Sequence, residues 1–250
     1  MRTTLRNLVF GTGMFVAALL AMPASGFAAG PYYVSKTGSD SGGNGSSGSP
    51  WASITNAVAN AAAGESIYVA GGVYTQSVSF AGKSQVTVKG GYDQAGPWTF
   101  DPSNQTTVIF GNGNSPVVIP AGANSNVLQA LTLKGGTSGT QGGIEFTGSA
   151  PYLFVEGCTL VSNVYGISAY SPGQIVTVRN TLVARNTSGG LFFETAWSTS
   201  YSCYLYNCTV ANNGGDGFFG GGYNGHASGG GGRARSQEHA VHGQQGLWHQ

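Results

Sequence analysis

Acid–base and metal chemistry would need carboxylates and bases brought together, so their spacing is read first. Between Gly30 and Gly225 the chain has eight acids and six bases. Asp93 and Asp101 share one segment, whereas Glu145, Glu156, Glu194 and Asp216 arrive singly, one per stretch of about twenty-five residues. Glu156 and Arg179 fall at equivalent positions of neighbouring stretches, which predicts an exposed ion pair of little energetic weight. All four histidines (His226, His239, His242, His249) lie beyond Gly225. His239-x-x-His242 has a metal-binding spacing, but no further ligand is arranged around it. No catalytic residue and no metal ligand is assigned. The residues with the best claim to a ligand are aromatic: Tyr170, Trp197 and Tyr223 sit four to seven residues past Gly166, Gly190 and Gly217. Ring faces with polar neighbours suit sugars, and Glu194 beside Trp197 would accept hydroxyl donors.

The elements that must position these residues form a repeat. Thr132, Thr159, Thr181 and Thr209, at spacings of 27, 22 and 28, each sit in a short apolar run between turns. A Gly then opens a further run at Gly143, Gly166, Gly190 and Gly217. Three short strands per repeat predict an all-β solenoid, a right-handed parallel β-helix of about six coils. At about 4.8 Å per coil the rod would be about 30 Å long. Asn163, Asn186 and Asn213 recur after the Thr run and predict a stacked amide ladder at a left-handed turn. Cys158 and Cys208 share a column with Leu131 and Asn180, two coils apart. That is about 10 Å, beyond disulfide reach, so both read as small buried hydrophobes. Cys203 has no evident partner.

In chain order, residues 1–29 read as a signal peptide: Arg2 and Arg6, the apolar run Leu8–Leu20, then small residues. The run is too short to span a membrane, and no Cys follows it to take a lipid. Residues 30–65 hold a strand, a polar loop and a helix predicted over Trp51–Ala63, with Ser49 as N-cap and Gly64 as stop. Its stripe of Trp51, Ile54, Ala57, Val58 and Ala61 would cover the open end of the solenoid. The coils occupy 66–225, interrupted at 92–106 by DQAGPWTFDPSNQ. In 226–250 no further strand is read, so this Gly/His-rich tail is expected to be disordered or out of frame and the solenoid truncated. Gly is 43 of 250 residues and charged residues only 8%. That suits short strands and tight turns, and no basic patch is present for nucleic acid.

The opening YYVSKTGSDSGGNGSSGSPWASITNAVANAAAGESIYVAGGVYTQSV resembles that of secreted right-handed parallel β-helix proteins of the pectate-lyase-like superfamily. VTVKGGYDQAGPWTFDPSNQTTVIFGN is similar to an insertion in a bacterial exported and surface branch. The resemblance spans roughly Pro31–Gly225 and implies the fold, secretion or surface location, and a polysaccharide as partner. The Asn-Thr-Asp, Asp-Asp and Gly-His-Gly motifs that it implies for hydrolases are absent. The expectation is therefore a non-catalytic protein binding glycan or surface material through loops on one face, without a cofactor. The alternative is a polysaccharide lyase of pectate type, or its N-terminal piece, for which Ca²⁺ would be required.

Overall fold

The computed structural model describes residues 31–149, 152–170, 173–195, 201–222, 233–237 and 240–242. The chain enters through β1 (Tyr32–Val34) and helix α1 (Ile54–Asn60). The first coil is β2 (Ser66–Ala70), β3 (Gly72–Thr75) and β4 (Val78–Ser79). The second is β5 (Thr87–Asp93), β7 (Thr107–Phe110) and β8 (Val117–Ile119), with β6 (Thr99–Phe100) interposed. The third is β9 (Asn126–Gln129), β10 (Leu131–Lys134) and β11 (Gly142–Phe146). The fourth is β12 (Tyr152–Glu156), β13 (Thr159–Val161) and β14 (Tyr165–Ala169). The fifth is β15 (Ile175–Arg179), β16 (Leu182–Ala184) and β17 (Gly189–Thr195). The sixth is β18 (Ser202–Tyr206), β19 (Thr209–Ala211) and β20 (Phe218–Gly222).

Corresponding strands of successive coils pair in parallel, giving three sheets that run along the rod. This is the parallel β-helix that the repeat predicts. The tail differs from expectation: β21 (Arg233–Gln237) pairs with β18 and β22 (Ala240–His242) with β19. Six three-strand coils are thus followed by two strands of a seventh among the described residues. Arg233-Ala-Arg-Ser-Gln alternates in the period of a strand, a signal too short to stand out from its Gly-rich surroundings.

The repeat is set by backbone handedness, not by threonine. Ala130, Gly157, Asn180 and Asn207 all have φ between +49° and +59° and turn the chain from the first sheet into the second. Their steps are 27, 23 and 27 residues (130 to 157, 157 to 180, 180 to 207). Aligning them puts Leu182, not Thr181, level with Thr132, Thr159 and Thr209. Thr181 instead enters the column of Leu131, Cys158 and Cys208, the place expected for Asn180. There its buried hydroxyl accepts from the Cys158 N–H at 3.2 Å. All three cysteines are free and buried.

A second left-handed column follows at Ser162, Arg185 and Asn212. The ladder asparagines come one residue after these positions, so left-handed backbone is not their own contribution. Asn163 Nδ2 donates to Asn186 Oδ1 at 3.2 Å, and Asn186 Nδ2 to Asn213 Oδ1 at 2.9 Å. Each amide also donates to a carbonyl of the preceding coil: Leu133, Leu160 and Val183 respectively. The ladder thereby satisfies buried carbonyls at a bend where no strand can.

The helix is shorter than predicted. Trp51 is held as an extended residue beside β1: its N–H donates to Tyr33 O at 3.0 Å, and Ser35 N–H donates to Trp51 O at 2.9 Å. Helix geometry therefore begins later, with Ser53 as the N-cap, accepting from Asn56 N–H at 3.1 Å. The C-cap is Ala61, and Lys83 Nζ donates to the end carbonyls of Ala59 and Ala61. The predicted apolar stripe is buried throughout and joins the single core that fills the solenoid. The helix packs against β1, β2 and β4 at the start of the solenoid. Inside the rod, aliphatic columns such as Val88, Leu128, Val155, Val178 and Leu205 stack coil upon coil.

Candidate functional site

Period-two alternation leaves every second residue of the first sheet facing outward. One outward column runs Tyr33, Tyr68, Lys89, Gln129, Glu156, Arg179 and Tyr206. A parallel column runs Ser66, Thr87, Val127, Phe154, Thr177 and Tyr204, and Tyr152 and Ile175 begin a third. Tyr152 and Phe154 are 47% and 41% exposed, and neither ring has a ring partner among the described residues. They stand two residues apart on one strand, so both point from the same face.

The polar column beside them is organised by the turn. Glu156 Oε1 accepts from Asn180 Nδ2 at 3.2 Å, and Asn180 Oδ1 accepts from Asn207 Nδ2 at 2.7 Å. Both asparagines are left-handed turn residues. The register makes Glu156 and Arg179 neighbours, as their spacing predicts. The guanidinium stands over the Tyr206 ring at 5.0 Å, a cation–π contact. At the other end of the column, Lys89 Nζ lies 3.8 Å from the centroid of Phe100.

The 92–106 insertion supplies that Phe100. β6 pairs antiparallel with the end of β5, and a small outer core of Ala70, Tyr92 and Trp98 packs with Tyr33 and Tyr68. Trp98 Nε1 donates to Ser47 O at 3.1 Å, tying the hairpin to the N-terminal loop. Tyr68 and Tyr92 stack at 4.4 Å, so these rings are used in packing.

The aromatic loop residues are distributed differently from expectation. Trp197 and Tyr223 lie outside the described residues. Tyr170 packs against Phe192 at 5.0 Å. Burial, followed by the nearby Tyr165, pushes its hydroxyl up to about 12. Glu194 projects from β17, on the outer side of the third sheet, two residues beyond Phe192. Tyr170 and Glu194 thus belong to the third-sheet face, while the loops after the third strands lead directly into the first-sheet strands. Sequence reasoning missed Tyr152 and Phe154. Their signal was present as two large aromatics at alternate positions of YLFVE, where Leu153 and Val155 already fill the core.

Among the described residues, no group of three or more His, Cys, Asp or Glu side chains could hold a metal ion. No helix among them is long and apolar enough to cross a membrane. No protein-family model matches the sequence, and no curated protein does. Among solved structures, a rhamnogalacturonan lyase is similar, with a TM-score of 0.48 and 13% identity. The match covers 85% of this chain and 67% of the lyase.

Proposed function

We propose that this chain is an exported, non-catalytic β-helix protein that binds a glycan along the outer face of its first sheet. The observation that supports this is the pair of exposed, unstacked rings of Tyr152 and Phe154 beside a polar column from Lys89 to Arg179. Sugar rings stack by their C–H faces on such aromatics, while Gln129, Glu156, Asn180 and Asn207 offer hydroxyl partners. Export rests on the basic start, apolar run and small-residue exit of residues 1–29.

Retention by a panel of insoluble polysaccharides tests the reading. Binding to at least one, lost in the Tyr152→Ala/Phe154→Ala double variant, is expected; equal retention of the variant would end it. A lyase reading draws on one observation, the adjacency of Arg179 to Glu156, a base beside a carboxylate. It requires unsaturated products from a uronate polymer with Ca²⁺. Their absence across a broad pH range, with the polymer bound, would remove it.

A further inference from the structure

Resting on the glycan-binding reading of the first sheet, we propose that Lys89, Glu156 and Arg179 set the charge spacing this face accepts. The preferred polymer carries widely spaced anionic groups, and one that is neutral or charged on every unit binds less well. Lys89, Gln129, Glu156 and Arg179 follow one another in consecutive register steps of one outward column. At about 4.8 Å per step the two cations stand about 14 Å apart, with a single carboxylate between them. A step is close to the length of one pyranose unit in an extended chain. Along a bound polymer the column therefore reads positive, neutral, negative, positive.

These charges are not spent inside the protein. Among the described residues, neither cation has an ion pair or a side-chain hydrogen bond. Lys89 Nζ rests over the Phe100 ring, and the Arg179 guanidinium over Tyr206. A guanidinium stacked on a ring keeps its N–H fork free at the edge for an anion. Glu156 is the register neighbour of Arg179, yet its Oε1 accepts from Asn180 Nδ2 at 3.2 Å instead. Its charge stays unpaired two residues from Phe154, on the same face of β12. An anionic unit stacked there would meet like charge, whereas one at Lys89 or Arg179 would meet opposite charge. A polymer charged on every unit must place an anion against Glu156. A neutral polymer leaves both cations unanswered. Anions spaced to skip Glu156 meet both cations without that conflict.

One backbone whose charge is graded by esterification alone tests this. The probes are polygalacturonate with all carboxylates free, with all methyl-esterified, and with about one in three free, matching the three steps from Lys89 to Arg179. Dissociation constants of the full chain on each immobilised form are the readout. The intermediate form should bind at least threefold tighter than either extreme. That advantage should vanish in 1 M NaCl, where screening sets in within about 3 Å. Glu156→Gln keeps an amide oxygen for Asn180, and it should raise the affinity ratio of fully charged to fully esterified polymer at least threefold. Lys89→Gln/Arg179→Gln should bring the intermediate form to the level of the esterified one. Unchanged melting temperatures show that the variants fold. Affinity that climbs steadily with charge, affinity equal for all three forms, or a ratio that Glu156→Gln does not move overturns the inference. Each of those results includes binding and leaves the glycan reading standing. Binding to none of the three forms also overturns the inference, and retention by the insoluble panel then decides the underlying reading separately.

Discussion

The β12 strand of the first sheet and the last strands of the third both carry aromatic side chains outward, but they use them in opposite ways. On the third sheet, Phe192 and Phe219 are equivalent residues of successive coils, and their rings stack at 4.9 Å with planes 8° apart. Each ring gives one face to the other, and Phe192 is met by Tyr165 and Tyr170 as well. On the first sheet, Tyr152 and Phe154 have Ile175, Thr177 and Val127 as register neighbours, not rings. Their faces have no aromatic to stack on. Aromatic content alone therefore does not separate the two faces; the presence or absence of a matching ring one coil away does.

The largest effect should come from completing the match. Thr177→Phe would give Phe154 a stacking partner in the same column, and glycan retention should fall tenfold or more while the fold is kept. Retention at the original level would show that an unstacked ring is not the requirement. Cutting the amide ladder should come next. Asn186→Ala leaves the Leu160 carbonyl and its ladder partners unpaired, and about 3 kcal/mol should be lost from urea unfolding. A loss under about 0.5 kcal/mol would mean that water replaces the amide. Gln174 provides the opposite sign: it is fully buried and both amide atoms lack partners. Gln174→Leu should stabilise by about 1 kcal/mol, and a lowered urea midpoint would contradict that.

The smallest and broadest effect is alkaline. Burial pushes the Cys158 thiol up to about 12 and the Tyr201 hydroxyl likewise, while Cys203 is raised further. A raised acid stays protonated in the folded chain after it would ionise in the unfolded one. Its contribution is complete below the ordinary thiol range and is lost as pH climbs towards 12. Thermal midpoints should therefore hold to about pH 8 and decline above it. Thiol reagents at pH 8 should label the native protein only as fast as it unfolds.

The coil architecture was legible because three signals coincide in the sequence: the Asn ladder, the Gly-initiated third run and the apolar alternation. The register was not. Thr181 imitates its neighbours in identity, yet the turn is decided by the left-handed residue before it, and Ala130 gives no sign of that conformation in its side chain. Helix α1 was visible as a stripe, but its start was displaced because Trp51 could satisfy β1 as well as a helix. The face proposed to bind glycan was hidden for a similar reason. Whether an outward aromatic is open depends on the residue one coil away, and that pairing exists only once the register is fixed.

In the third to sixth coils the corner between the first and second sheets turns on one left-handed residue, whereas the coil steps of 27, 23 and 27 residues differ. Within those coils the length variation falls at the other two corners, as in the contrast between residues 135–141 and 162–164. Segments can thus be lengthened, shortened or exchanged there without disturbing the spacing of side chains across the first sheet. In evolution, as at the bench, the rod behaves as a ruled display surface whose border can be rewritten loop by loop while the ruling stays fixed.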